Sequence, residues 1–161
     1  MDNARMRKAT PWVTLVLVLA ALASACGDVR DENGTISRSG LLSVHDLRAG
    51  DCGFQPTDGE VEQIEVTPCD KEHDIEVMSV LSYDRGDEYD QASVEAFADQ
   101  VCVEAFEEFV GLPYGESLHD VIKLTPNQES WYQEDLQDRE VACLFVRANG
   151  EAAGSARGIN E

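Results

Sequence analysis

The stretch DQASVEAFADQVCVEAFEEFVG, from Asp90 to Gly111, decides the fold class of this chain. Its apolar residues fall at Val94, Phe97, Ala98, Val101, Cys102, Ala105, Phe109 and Val110, the three-and-four spacing of one helical face. Glu95, Asp99, Glu107 and Glu108 take the solvent side. Asp90 or Ser93 offers a side-chain oxygen as N-cap, and Gly111 offers the left-handed conformation that ends a helix. Around this helix the periodicity switches to two. Cys52-Gly53-Phe54 reads as a short strand, and Val61 to Thr67 as a second, with Ile64 and Val66 on one face and Glu65 on the other. Asp74 to Tyr83 reads as a central strand with Ile75 and Val77 pointing one way and Met78 and Val80 the other. Val121 to Leu124 is a shorter strand, and Val141 to Val146 is apolar on both faces. A short second helix is expected after Thr125-Pro126, with Pro126 at its first position, Glu129 in its first turn and Trp131 aboard. The order predicts an α+β domain, a small antiparallel or mixed sheet of about five strands with one long and one short helix on one face.

Outward from that domain, 161 residues allow one domain plus appendages. Thirty-two acidic residues stand against 12 basic ones, a net charge of -20. That field repels phosphate backbones and anionic lipid surfaces, which excludes nucleic acid and polybasic membrane attachment.

The N-terminus has a different character. Arg5, Arg7 and Lys8 precede the apolar run Trp12 to Ala23. Twelve helical residues rise only about 18 Å, against a hydrocarbon core of roughly 30 Å, so an export signal fits better than a spanning helix. The run ends in Leu22-Ala23-Ser24-Ala25-Cys26-Gly27, which resembles a bacterial lipobox with Cys26 as the lipidated first residue; Ala23 and Ala25 also suit an ordinary signal peptidase. The expected organisation is a lipoprotein-type signal peptide over 1–25, lipidated Cys26 and a flexible tether over 26–43, the α+β domain over 44–158, and a tail over 159–161. Seventeen flexible residues would span roughly 20–25 Å. Without residues 1–25 the chain keeps nine basic and 31 acidic residues. It is expected on the outer face of the cell membrane, held by the lipid.

Five cysteines leave one over, and Cys26 is where a lipid would take it. The other four form an even set for an oxidising compartment. Four cysteines allow three pairings; Cys52–Cys69 with Cys102–Cys143 is preferred, because each pair joins elements that should be neighbours. On the chain-entropy model the two bonds stabilise by about 3 and 4 kcal/mol. The competing reading is zinc on Cys52, Cys69 and His73, disfavoured by export and by the lack of a Cys-x-x-Cys. The acidic turn Asp84, Asp87, Glu88, Asp90 lacks the spacing of a calcium loop. No cofactor and no metal are expected.

Catalytic motifs are not found: no G-x-S-x-G, no H-E-x-x-H, no phosphate-binding glycine loop. His73, near Asp70, Asp74 and Glu76, reads either as a carboxylate-oriented base or as a loop-capping histidine. Trp131 and Tyr132 read either as a ligand-contacting patch or as cover for the core edge. His73, Glu76 and Trp131 are therefore the candidate functional surface.

Gly50-Asp51-Cys52, Val66-Thr67-Pro68-Cys69, His73 and Glu76-Val77 resemble the opening signature of the actinobacterial septum-formation domain family. Pro126, Glu129-Ser130-Trp131, Arg139, Val141-x-Cys143 and Gly154-Ser155-x-Arg157-Gly158 resemble its closing segments, and the helix bearing Cys102 matches in position. The turn Gln133 to Arg139 is longer and more acidic than the short Gly-Asp-Arg turn common there. The resemblance implies a membrane-associated extracytoplasmic protein of septum formation in cell division, with no established enzymatic activity. The expected function is a non-enzymatic binding or scaffolding domain whose partner is an envelope or division protein. The alternative is a small envelope hydrolase, or a metal-dependent ligand-binding or sensor domain, using His73.

Overall fold

A computed structural model describes residues 28–57 and 61–161; the expected export signal and Cys26 lie outside the described residues. The chain folds as an α+β domain whose six-stranded antiparallel sheet curls into a half-barrel. Its strands are β1 (Gly40–Ser43), β2 (Cys52–Gly53), β3 (Gln63–Thr67), β5 (Ile75–Ser82), β6 (Asp120–Leu124) and β7 (Glu140–Val146). They lie in the order β1-β3-β2-β5-β7-β6. A two-stranded ribbon pairs β4 (Glu72–His73) with β8 (Ala152–Ala153). No described helix is long and apolar enough to cross a membrane.

The long helix, α1 (Gln91–Val110), starts after Asp90 and ends at Gly111, whose φ of 88° is the left-handed terminator. It lies on the β7 face that carries Val141, Cys143 and Phe145, and buries Ala98, Cys102, Phe106 and Phe109 there. Phe106, which the face drawn from sequence omitted, is fully buried against that layer. The opposite face of β7, Ala142, Leu144 and Val146, joins Ile64, Val66, Ile75 and Val77 in a second core layer. Each β7 residue from Val141 to Val146 is thus committed to one apolar layer or the other, which is why that stretch shows no polar alternation.

In β5 the pairing with β7 slips between Val77 and Ser79. This bulge sends Met78 toward α1 and returns Val80 to the layer of Ile75 and Val77. The strict alternation expected from sequence therefore fails at Val80, because one extra residue inverts every later side chain.

Two further expectations are corrected. The short helix, α2 (Gln128–Tyr132), is capped by Asn127 rather than opened by Pro126: Asn127 Oδ1 accepts the Ser130 N–H at 2.8 Å and Ser130 Oγ accepts the Asn127 N–H at 3.1 Å. The expected small sheet of about five strands is completed at its edge by β1 as a sixth. Most of the expected tether is folded. Arg30 and Ile36 form a bridge, Ile36 is buried, and β1 pairs along β3. Arg30 clasps Asp51 through both guanidinium nitrogens, at 2.7 and 2.5 Å. Its Nη2 also donates to the Asp46 carbonyl at 2.7 Å. Val29, Ile36 and Leu42 are too widely spaced among polar residues to register as a period, yet each packs on the second core layer.

Two disulfides close the domain. Cys52 joins Cys69 beside β2, and Cys102 joins Cys143, fastening α1 to β7. Such bonds persist in oxidising compartments, so the domain belongs outside a reducing cytoplasm.

Candidate functional site

The residues singled out from sequence do not form a surface. His73 and Trp131 are 0% exposed and Glu76 is 4% exposed. Burial follows from their elements. Trp131 projects from α2 into a small aromatic core with Tyr83 and Val94. Its indole N–H donates to the Asp87 carbonyl at 3.0 Å, and the Arg139 guanidinium lies 3.6 Å from its ring centroid. Trp131 is thus the peg that fixes α2, and only its neighbour Tyr132 remains exposed.

His73 and Glu76 belong to a buried polar cluster behind β2. Gly53 pairs with both Val66 and Ile75, and a Cβ there would run into the Glu65 carbonyl and the Val66 backbone. Only glycine lets β3 approach β2 this closely, and on the other edge of β2 the pairing with β5 sets Cys52 directly opposite Glu76. A C-terminal strap then covers the cluster. Ser155 Oγ donates to Glu76 Oε1 at 2.7 Å and the Ala156 N–H to Oε2 at 3.0 Å, while the Gly154 N–H donates to the Cys69 carbonyl at 2.7 Å. These contacts explain why the Gly154-Ser155 segment goes with the Cys69 and Glu76 motifs.

The accessible site is elsewhere. A groove of about 680 Å³ runs along the open side of the half-barrel, between the segments that leave β1 and enter β3 and the β6–α2–β7 side. Val44, Val61, Val80 and Leu124 give it an apolar floor that continues the core. Its rim is acidic, with Glu62, Glu129 and Glu140 exposed and Asp138 nearly buried. Asp138 Oδ2 accepts from Ser130 Oγ at 3.1 Å, and its Oδ1 accepts the Glu140 N–H at 3.0 Å. His45 Nδ1 lies 3.7 Å from the same Oδ2. The basic residue of the lining, Lys123, is turned to Asp99 on α1 in an ion pair. The rim therefore presents surplus negative charge to any occupant.

These groove residues come from four separate segments, and nothing in their local sequence marks them as neighbours. His45 was visible as one of three histidines; Glu62, Glu129, Asp138 and Glu140 were indistinguishable from the rest of an acidic surface.

Comparison with known proteins adds the family. A family model described as septum formation matches residues 27–156. No curated protein and no solved structure matches the chain. The matched span takes in every strand, both helices and all four disulfide cysteines, so the chain belongs to the septum-formation family.

Proposed function

We propose that this chain is a lipid-anchored, extracytoplasmic binding domain that takes part in septum formation by docking a basic segment of an envelope or division protein in the half-barrel groove. The observation that carries this reading is the groove itself: an apolar floor under a rim of four carboxylates whose neighbouring lysine is already paired elsewhere. An extended basic segment suits such a floor and rim, since apolar contacts hold it and the surplus charge steers it in. The family membership supports the septal process, and the disulfides support the compartment. The anchor rests on the sequence around Cys26.

A non-enzymatic role is supported by how the polar groups are occupied. In the groove, Ser130 and the His45 ring both address Asp138, and among the described residues no serine hydroxyl is hydrogen-bonded to that ring; Ser43 Oγ instead accepts the His45 backbone N–H at 3.4 Å. In the interior, His73 and Glu76 are sealed from any substrate.

The test is a titration of the purified protein with an extended lysine- and arginine-rich peptide and with its acidic counterpart. The basic peptide should bind, and its affinity should fall as salt rises. Glu62→Lys with Glu140→Lys should weaken binding by about tenfold or more, as expected for a charge-steered interface. Glu104→Lys with Glu108→Lys, on the exposed side of α1, changes net charge equally and should not. Equal losses from both pairs would mean that bulk charge, not the groove, attracts the peptide, and the reading fails.

A further inference from the structure

We propose that the Cys52–Cys69 disulfide masks a zinc site made by Cys52, His73 and Glu76, which opens when a dithiol reductant cleaves the bond. The three side chains come from β2, β4 and β5, and their ligating atoms lie within 4.8 Å of one another. All three residues are buried. Sulfur, imidazole nitrogen and carboxylate oxygen at this spacing form a donor set suited to Zn²⁺, with a fourth position left for water.

His73 gives the second, independent indication. Its Nδ1 lies 2.8 Å from the Lys71 carbonyl oxygen, which can only accept, so Nδ1 carries the proton. Nε2 is then a bare lone pair, and it is buried with no hydrogen-bond partner. One ring nitrogen donating to a backbone carbonyl while the other points a free lone pair inward is the orientation that metal-bound imidazoles adopt. Glu76 is similarly fixed by its two donors from the strap, Ser155 Oγ and the Ala156 N–H.

The disulfide is placed so that its opening delivers the right sulfur. Cys69 is half-buried, whereas Cys52, Cys102 and Cys143 are all buried, so an attacking thiolate meets Cys69 first. Attack on Cys69 Sγ forms a mixed disulfide there and expels Cys52 as the thiolate, inside the cluster with His73 and Glu76. The reductant's second thiol then displaces Cys69, closing the reductant's own disulfide, and the Cys69 thiolate takes a proton from solvent. Two electrons pass from the dithiol to the cystine. Zinc binds the Cys52 thiolate in place of the proton it would otherwise acquire. The same domain is thus metal-free when oxidised and zinc-loaded when this one bond is reduced.

The experiment uses the purified full-length protein, oxidised or opened by a dithiol that is then removed under inert gas. Each form is equilibrated with zinc chloride, freed of loose metal and assayed by elemental analysis, with mass mapping of the reduced cysteines. Reduction at Cys52 and Cys69 should give about one zinc per chain, and the oxidised form at least tenfold less. His73→Phe keeps the ring volume, removes Nε2 and should lower retention by about tenfold or more. Cobalt(II) in the reduced wild-type protein should show thiolate-to-metal charge-transfer absorption, and Cys52→Ser should abolish it. Equal zinc in oxidised and reduced protein, or undiminished retention in His73→Phe, overturns the proposal. Should either variant fail to fold, the wild-type cobalt spectrum decides alone, and a spectrum without the charge-transfer band overturns it.

Discussion

Arg30 shows how one residue can change the meaning of a whole segment. Its guanidinium is held by Asp51, which raises its proton affinity further, with burial opposing. Removing only one partner strands a charge at a nearly buried site, so Asp51→Ala should cost about 3 kcal/mol in urea unfolding. Arg30→Met with Asp51→Leu should restore much of this, although Asp51 also accepts the Arg48 N–H at 2.7 Å, and that loss should leave about 1 kcal/mol unrecovered. His119 acts through pH instead. Burial holds its imidazole below the ordinary 6.5, Glu161 pulls the other way, and Arg147 lowers it again. Its Nδ1 accepts the Ala148 N–H at 3.1 Å, an arrangement available only to the neutral ring with its proton on Nε2. The unfolded chain therefore binds the proton more readily, and stability falls as pH drops from about 6.5 through the lower folded value. His119→Gln retains an acceptor without the titration, so the melting-temperature difference between it and the wild type should change across that window. A constant difference would show that His119 is not the group responsible. Neither residue announced its role in sequence: Arg30 lay in an apparently featureless stretch, and His119 had no partner within reach along the chain.

At the scale of elements, α1 and β7 carry their own instructions, and the Cys102–Cys143 bond joins the two. The helix was legible because twenty residues sample its face many times over, and β7 because both of its faces are apolar. Two-residue strands such as β2, β4 and β8 cannot display a period, and β1 is only four residues long. Their pairing is imposed by partners distant in sequence. Cys102 and Cys143 could be paired because α1 and β7 were each legible, and Cys52 and Cys69 because they flank the first two strands. Cys102→Ala with Cys143→Ala should lower stability by about 4 kcal/mol, and Cys52→Ala with Cys69→Ala by about 3. Against a net stability of about 5–15 kcal/mol, either double variant should remain folded with an earlier denaturant midpoint, while loss of all four should leave little or no folded protein. A smaller shift for the helix–sheet bond than for the short loop would show that loop length does not govern the two contributions.

The groove and the folded arm exist only in the whole molecule, and together they set how the domain would stand at a membrane. A free tether over 26–43 would let the domain drift some 20–25 Å from the lipid. With Val29 already packed on the core and Arg30 clasped, only Gly27 and Asp28 separate Cys26 from the folded body. Three residues extended reach about 10 Å, comparable to the Debye length of about 8 Å in physiological salt. If Cys26 carries the proposed lipid, a chain with nine basic and 31 acidic residues beyond position 25 would feel the surface charge of anionic lipid at that distance. In the anchored protein proposed above, the arm would hold the domain against that repulsion rather than let it retreat. A donor dye at Ser37 and acceptors in the headgroups should give strong energy transfer in the anchored protein. Arg30→Ala, which frees the arm, should reduce that transfer, and more so in anionic vesicles at low salt. Cys26→Ala separates the two ideas underneath: protein still on the membrane would refute the lipid anchor, whereas a firmly anchored wild type with weak transfer would refute the rigid arm alone.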